Sequence, residues 1–145
     1  MLNFLYRIGR VLYERKLKFF SKFIYYIQCL ACNSSVPHSV FIGNGTKFAY
    51  GGIATVIHER TIIGNNCIIG QGVTIGGRSK HYDVPIVGNN VYIGAGARVL
   101  GPITIGDDSI IAPNAVVIKN VEARSIVGGV PASVLKTDIN ISDFI

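Results

Sequence analysis

The chain has no tryptophan, one methionine, three cysteines and three histidines among its 145 residues. So few thiols exclude a disulfide framework as the basis of stability and suit a reducing compartment. Cys29 and Cys32 form a C-x-x-C, but a structural zinc site needs two further ligands, and neither a second pair nor a histidine cluster follows. No metal is expected. Long apolar runs are missing too: 49% of the residues are hydrophobic, yet no run of uncharged apolar residues reaches the roughly eighteen of a spanning helix. A signal peptide is not expected, because Arg7, Arg10, Glu14, Arg15, Lys16 and Lys18 interrupt any apolar core near the N-terminus. These absences point to a cytoplasmic protein, long enough for one continuous core and too short for two ordinary domains.

Acidic residues are scarce, with 8 against 14 basic ones for a net charge of +6. The imbalance is local. Arg7, Arg10, Arg15, Lys16, Lys18 and Lys22 face a single acid, Glu14, within residues 1–30, and the remainder is nearly neutral. Apolar residues recur there at helical spacing: Leu5, Ile8 and Leu12, then Phe19, Phe20, Phe23, Ile24 and Ile27. Residues 1–35 read as one or two amphipathic helices packed as a cap on the end of the remaining chain. A peripheral contact of residues 1–30 with anionic lipid at the inner membrane face is the sharper alternative. No nucleic-acid motif accompanies the charge, so no nucleic-acid partner is expected.

What the chain has in abundance is repetition. Ile57, Ile63, Ile69, Ile75, Val87, Ile93, Val99, Ile105, Ile111 and Val117 share one six-residue frame, and Gly64, Gly70, Gly76, Gly88, Gly94 and Gly106 follow their aliphatic partners. A period of six is neither helix nor simple strand. It suits an all-β solenoid of short parallel strands, with the aliphatic residue inward and a turn at the glycine too tight for a Cβ.

The frame fails at three places, and exceptions in a solenoid are where chemistry is sought. Ile42-Gly43 is out of phase with Ile57, so "GTKFAYGGIAT" must contain an irregular coil. His58 stands where other coils have glycine. Between Ile75 and Val87 the phase holds, but "GGRSKHYDVP" has the composition of an extruded loop, assigned to residues 77–86. His81 lies in it; coiled straight through, it would be a buried histidine beside Lys80, Tyr82 and Asp83, at high cost.

The repeat, the block "VTIGGRSKHYDVPIVGNNVYIGAGA" and the closing "IVGGVPASVL" resemble the hexapeptide-repeat acyltransferases, in particular the serine acetyltransferase-like group with its short sugar and polysaccharide O-acetyltransferases. The resemblance covers residues 36–136 and leaves 137–145 as a tail. It implies a left-handed parallel β-helix, a homotrimer, and acetyl-CoA as co-substrate lying between adjacent prisms. The implied reaction moves acetyl to a hydroxyl, for which a histidine base is suited by its ordinary pKa of ~6.5. A sugar or polysaccharide precursor is the first expectation for the acceptor. L-Serine is the second, since the large helical domain of true serine acetyltransferases is missing from the thirty-five or so residues before the repeat.

The family's base histidine precedes the first regular coil, and there this chain reads "AYGGIATVIH", with Tyr50 in its place and Ala54 replacing a glycine. The paired carboxylate is also missing, the matching region reading "NSS". The candidates for catalysis are therefore His81, His58 and Tyr50, with Asp83 and Lys80 toward the acceptor; His38 reads as structural. The resemblance runs the pantetheine arm along Gly94, Ala95, Gly96 and Ala97, past Ala112 and beneath Gly129 and Pro131, with Lys119 and Lys136 toward the phosphates. Two rivals stand beside this reading. A γ-type carbonic anhydrase requires closer histidines, and an inactive trimeric scaffold would follow from the lost base.

Overall fold

The computed structural model describes residues 1–145. Two helices, α1 (Leu2–Glu14) and α2 (Lys18–Cys32), precede a parallel β-solenoid with three faces. Face I stacks β1 (Phe41–Ile42), β4 (Ile62–Ile63), β7 (Ile86–Val87) and β10 (Thr104–Ile105). Face II holds β2 (Lys47–Phe48), β5 (Ile68–Ile69), β8 (Tyr92–Ile93), β11 (Ile110–Ile111), β13 (Ile126–Gly129) and the antiparallel β14 (Ala132–Lys136). Face III holds β3 (Val56–Ile57), β6 (Thr74–Gly76), β9 (Arg98–Leu100) and β12 (Val116–Val117).

The register states the repeat in physical terms. Regular coils pair residues 18 apart, as in Ile86 with Thr104, Tyr92 with Ile110 and Arg98 with Val116, which is three hexapeptides per triangular turn. The step is 21 between Phe41 and Ile62, because three extra residues fall in the 3₁₀ segment Ala49–Gly52. It is 24 between Ile62 and Ile86, because six extra residues leave the coil between β6 and β7. All ten aliphatic residues of the frame are buried. Stacked Ile and Val exclude water along the whole axis, and truncating one, such as Ile93→Ala, would cost about 2–5 kcal/mol.

Close stacking enforces glycine along two edges and not along the third. A Cβ on Gly64 would lie 2.4 Å from the Gly88 carbonyl oxygen, and one on Gly94 would lie 2.5 Å from the Pro113 nitrogen. The constraint is the approach of neighbouring coils; the left-handed turn comes two residues later, at Asn66 (φ 56°) and Gly96 (φ 71°). Along the edge between faces III and I the same position carries His58, Gly76, Leu100 and Ile118, so a side chain there is ordinary.

The helices close the open end of the solenoid with polar groups. Phe48 N–H donates to Asn3 Oδ1 (3.1 Å) and Tyr6 Oη–H to the Val40 carbonyl (2.6 Å). The Arg7 guanidinium donates to the Ile42 and Gly43 carbonyls, and that of Arg10 to those of His38 and Ser39. Backbone groups that an edge strand would leave bare are thus satisfied. Two of the six N-terminal cations are used for this.

The apolar stripe of α2 does not do the capping. Ser21, Gln28 and Cys32 are the buried residues of α2, whereas Phe19, Phe20, Phe23 and Ile27 are exposed. Gln28 Nε2 donates to the Val36 carbonyl (3.0 Å) and Tyr25 Oη bonds Ser35 Oγ (2.7 Å). The solenoid end offers carbonyls and hydroxyls, so it is matched by the polar side of the helix. In α1, Leu2, Tyr6 and Gly9 face inward while Ile8 is exposed. No helix is long and apolar enough to cross a membrane.

Candidate functional site

The candidate residues divide between two edges of the prism. The edge between faces II and III carries the corners at 49–55, 70–73, 94–97 and 112–115, and the β13–β14 hairpin ends beside it. The edge between faces III and I carries 58–61, the excursion 77–85, 101–103 and 118–121. Tyr50, Gly94 to Ala97, Ala112, Gly129 and Pro131 therefore share the first edge, and His58, Lys80, His81, Asp83 and Lys119 the second. Tyr50 is not brought to either histidine within one chain.

On the first edge the irregular coil presents Tyr50. Its backbone is left-handed (φ 49°, ψ 37°), Gly51 follows at φ 74°, and the phenol is 79% exposed. Ala54 is held at φ 56°, which costs an alanine about 1–2 kcal/mol relative to glycine. Below this coil, small residues line the edge, but the Ala97 side chain points into the core, fully buried, and does not line the channel that the sequence assigned to it. A Cβ on Gly128 would come within 3.0 Å of the Ala112 Cβ. Most of the backbone N–H groups in 94–97 are occupied: Gly94 donates to Ile111, Gly96 to Gln71 and Ala97 to Gly94. The Ala95 N–H alone meets no acceptor, so this run offers one free backbone donor. Arg98, which the sequence pattern did not single out, donates to the Gly72 (2.6 Å) and Gly96 (2.9 Å) carbonyls and ties this edge together. The signal was a lone cation between "GAGA" and "VLG".

On the second edge the loop folds back along its own chain. The Arg60 guanidinium lies 4.2 Å from the Tyr82 ring centroid and also donates to the Tyr82 carbonyl. His81 N–H closes a turn on the Arg78 carbonyl (3.0 Å) with Lys80 at φ 69°. Val84 and Pro85 are buried and anchor the return. His81 and Asp83 are exposed and form no side-chain bond to each other, so Asp83 does not orient the imidazole in the single chain. His58 sits at the root of the loop, with Cδ2 3.8 Å from where a Gly77 Cβ would be, and its Nδ1 accepts the Arg60 N–H (3.2 Å). Arg60 is the residue that sequence reasoning missed here; its partner is 22 residues away, beyond the reach of any local pattern.

The remaining candidates lie apart. Lys119 lines a cleft of about 230 Å³ with Val117, Val127 and Ala132 at the C-terminal end of the solenoid. The Lys136 ammonium lies 5.4 Å from the Phe144 ring, held by the tail. His38 is buried beneath α1 with its ring against Gly9, and Nδ1 is 2.9 Å from Ser21 Oγ, which itself donates to the Gly9 carbonyl. That arrangement makes Nδ1 the protonated nitrogen and leaves Nε2 without a partner. Burial, with Arg10 nearby, holds its pKa below the ordinary value of 6.5. It is a structural histidine. Burial also raises the Cys67 thiol, whose Sγ donates to the Gly88 carbonyl (3.1 Å) inside the coil. No three metal-ligating side chains converge anywhere.

A prism of parallel hexapeptide coils with an extruded loop defines a class, and comparison with known proteins agrees. Residues 85–119 match the family described as bacterial transferase hexapeptide (six repeats). The serine acetyltransferase of Bacillus subtilis (strain 168) is 35% identical over 132 residues, covering 90% of this chain and 60% of the relative. That of Helicobacter pylori (strain J99) is 35% identical over 135 residues, covering 92% and 78%. The solved serine acetyltransferase of Brucella abortus in complex with coenzyme A superposes with a TM-score of 0.86 at 29% identity, over 94% of this chain and 55% of that one. The chain belongs to the hexapeptide-repeat transferases, in the serine acetyltransferase-like group, and its solenoid is the left-handed β-helix of that group. It spans about 60% of the length of several of these relatives.

Proposed function

We propose that this chain is an acetyl-CoA-dependent O-acetyltransferase and that its acceptor is the hydroxyl of L-serine. The observation that carries the reading is the edge of small residues at 94–96 and 112, with an unpaired N–H at Ala95, on a chain whose relatives are named serine acetyltransferases. Those names favour serine over the sugar or polysaccharide acceptor that the short N-terminus suggests. The small side chains leave room for a pantetheine arm, and Gly129 and Pro131 continue the same edge.

We infer further that the two edges work together only between copies. Phe41, Ile62 and Ile86 form an exposed apolar row down face I, in register from coil to coil, and such a row favours burial against a second prism. In a threefold assembly the second edge of one chain meets the first edge of its neighbour, bringing the His81 loop to the acyl channel. The imidazole then takes the proton of the acceptor hydroxyl as its oxygen attacks the thioester carbonyl. The Ala95 N–H receives the developing oxyanion, and the thiolate of CoA leaves and takes the proton back. Lys80 and Asp83 travel with the loop toward the acceptor, whereas Lys119 and Lys136 stand apart from the channel and from each other.

The test is release of CoA thiol from acetyl-CoA, measured with L-serine, free hexoses and nucleotide sugars in separate assays. Release that depends on L-serine supports the reading, and release with a hexose alone returns the acceptor to a sugar. The observation favouring a second reading is Tyr50 in place of a histidine: neither binding nor release would make the chain a scaffold.

A further inference from the structure

The outward face of α2 has no partner and is not used by acyl transfer. Phe19 and Leu30, at 80% and 91% exposed, mark its two ends, and Phe20, Phe23, Tyr26 and Ile27 fill the arc between them. At 100° per residue these six side chains cover one continuous side of a helix about 22 Å long. The polar side is occupied by the solenoid end, so this orientation is imposed by the fold. Four cations border the apolar arc. Lys18 and Lys22 stand one position before Phe19 and Phe23, and Arg15 and Lys16 form the turn into the helix; all four are exposed and none has an acidic partner. The only acid of the segment, Glu14, is held by Arg10 at 2.8 Å.

The charge selects the occupant. A second copy docked on this face would bring four unpaired cations near four more, an unfavourable like-charge juxtaposition. A neutral apolar protein surface would leave the cations idle. We propose that α2 lies in the interface of an anionic phospholipid bilayer, its phenylalanines among the acyl chains and Arg15, Lys16, Lys18 and Lys22 among the headgroup phosphates. The helix rests in the surface, since none in the chain is long and apolar enough to cross.

The experiment is co-sedimentation of the purified chain with vesicles of phosphatidylcholine alone and of phosphatidylcholine mixed with phosphatidylglycerol. The chain pellets with the mixed vesicles, stays in solution with the neutral ones, and binds less as salt is added. Each cation near an anionic surface contributes about fivefold, so Lys18→Glu/Lys22→Glu lowers partitioning by about thirtyfold or more. Phe19→Ser/Phe23→Ser, at unchanged charge, lowers it by about tenfold or more. Both variants change exposed side chains, and unaltered circular dichroism and thermal unfolding confirm that they fold. Wild-type protein that stays in solution with both vesicle types overturns the proposal. So does pelleting that survives Phe19→Ser/Phe23→Ser. Light scattering in which those serines halve the particle mass, without vesicle binding, assigns the face to another copy and overturns it as well.

Discussion

At the scale of single residues, the proposed chemistry turns on Tyr50 and His81. A phenol with a reference pKa near ~10 is a poor base at neutral pH, whereas an imidazole is matched to the task. His81→Ala is expected to lower serine-dependent CoA release by about a hundredfold or more, and Tyr50→His to raise it by about tenfold, both read as kcat/KM. Unchanged turnover in His81→Ala would move the role to His58. His38 yields a different prediction. Its folded pKa lies below the unfolded value of 6.5, so the unfolded chain takes up a proton where the folded one does not. The stability that neutral His38 contributes is complete above the unfolded pKa and is lost as pH falls toward the folded one. Urea midpoints should therefore drop between about pH 7.5 and about pH 5.5, and the drop should be smaller in His38→Asn. An equal drop in both proteins would place the pH dependence elsewhere.

Among the elements, the loop at 77–85 is held by one cation. Arg60 stacks on Tyr82 and donates to its carbonyl, contacts worth about 0.5–2 kcal/mol together. Arg60→Ala should leave thermal unfolding nearly unchanged while trypsin cuts after Arg78 and Lys80 several times faster. Equal cleavage in wild type and variant would mean that Val84 and Pro85 alone hold the loop. This element also marks how far sequence reasoning reached. The phase kept across Ile75 and Val87 located the excursion, because buried positions must stay in register whatever is inserted between them. Its clamp to Arg60 was invisible, since nothing local links positions 60 and 82. The same limit applies to α2. Helical periodicity reveals an apolar face and a polar face, but which one turns inward depends on the Val36 carbonyl and the Ser35 hydroxyl beneath, and those belong to the start of the solenoid. The glycine pattern was legible but read as a tight turn; that the neighbouring coil enforces it, and that it fails at His58, Leu100 and Ile118, required knowing how the coils stack and which edge each position occupies.

For the whole molecule, the proposed threefold assembly rests on face I. Ile62 is the middle of the row Phe41, Ile62 and Ile86, so Ile62→Glu would place a carboxylate in the centre of a buried contact. On this proposal light scattering should show threefold particles for the wild type and single chains for the variant, and activity should fall with the mass. Particles of unchanged mass would remove face I from the interface. The division of the site between two edges is the central consequence of the fold, and a mixing experiment tests it most directly. On the proposed site, chains carrying His81→Ala would lack the working loop, and chains carrying Ala95→Trp would have a blocked acyl channel. Each alone is inactive, but a mixed assembly rebuilds intact sites from the good loop of one chain and the good channel of its neighbour. Serine-dependent CoA release recovered in mixed particles, to about a quarter of wild type for random mixing, is the predicted result. Mixed particles that remain as inactive as either parent would contradict it and put the whole site within one chain.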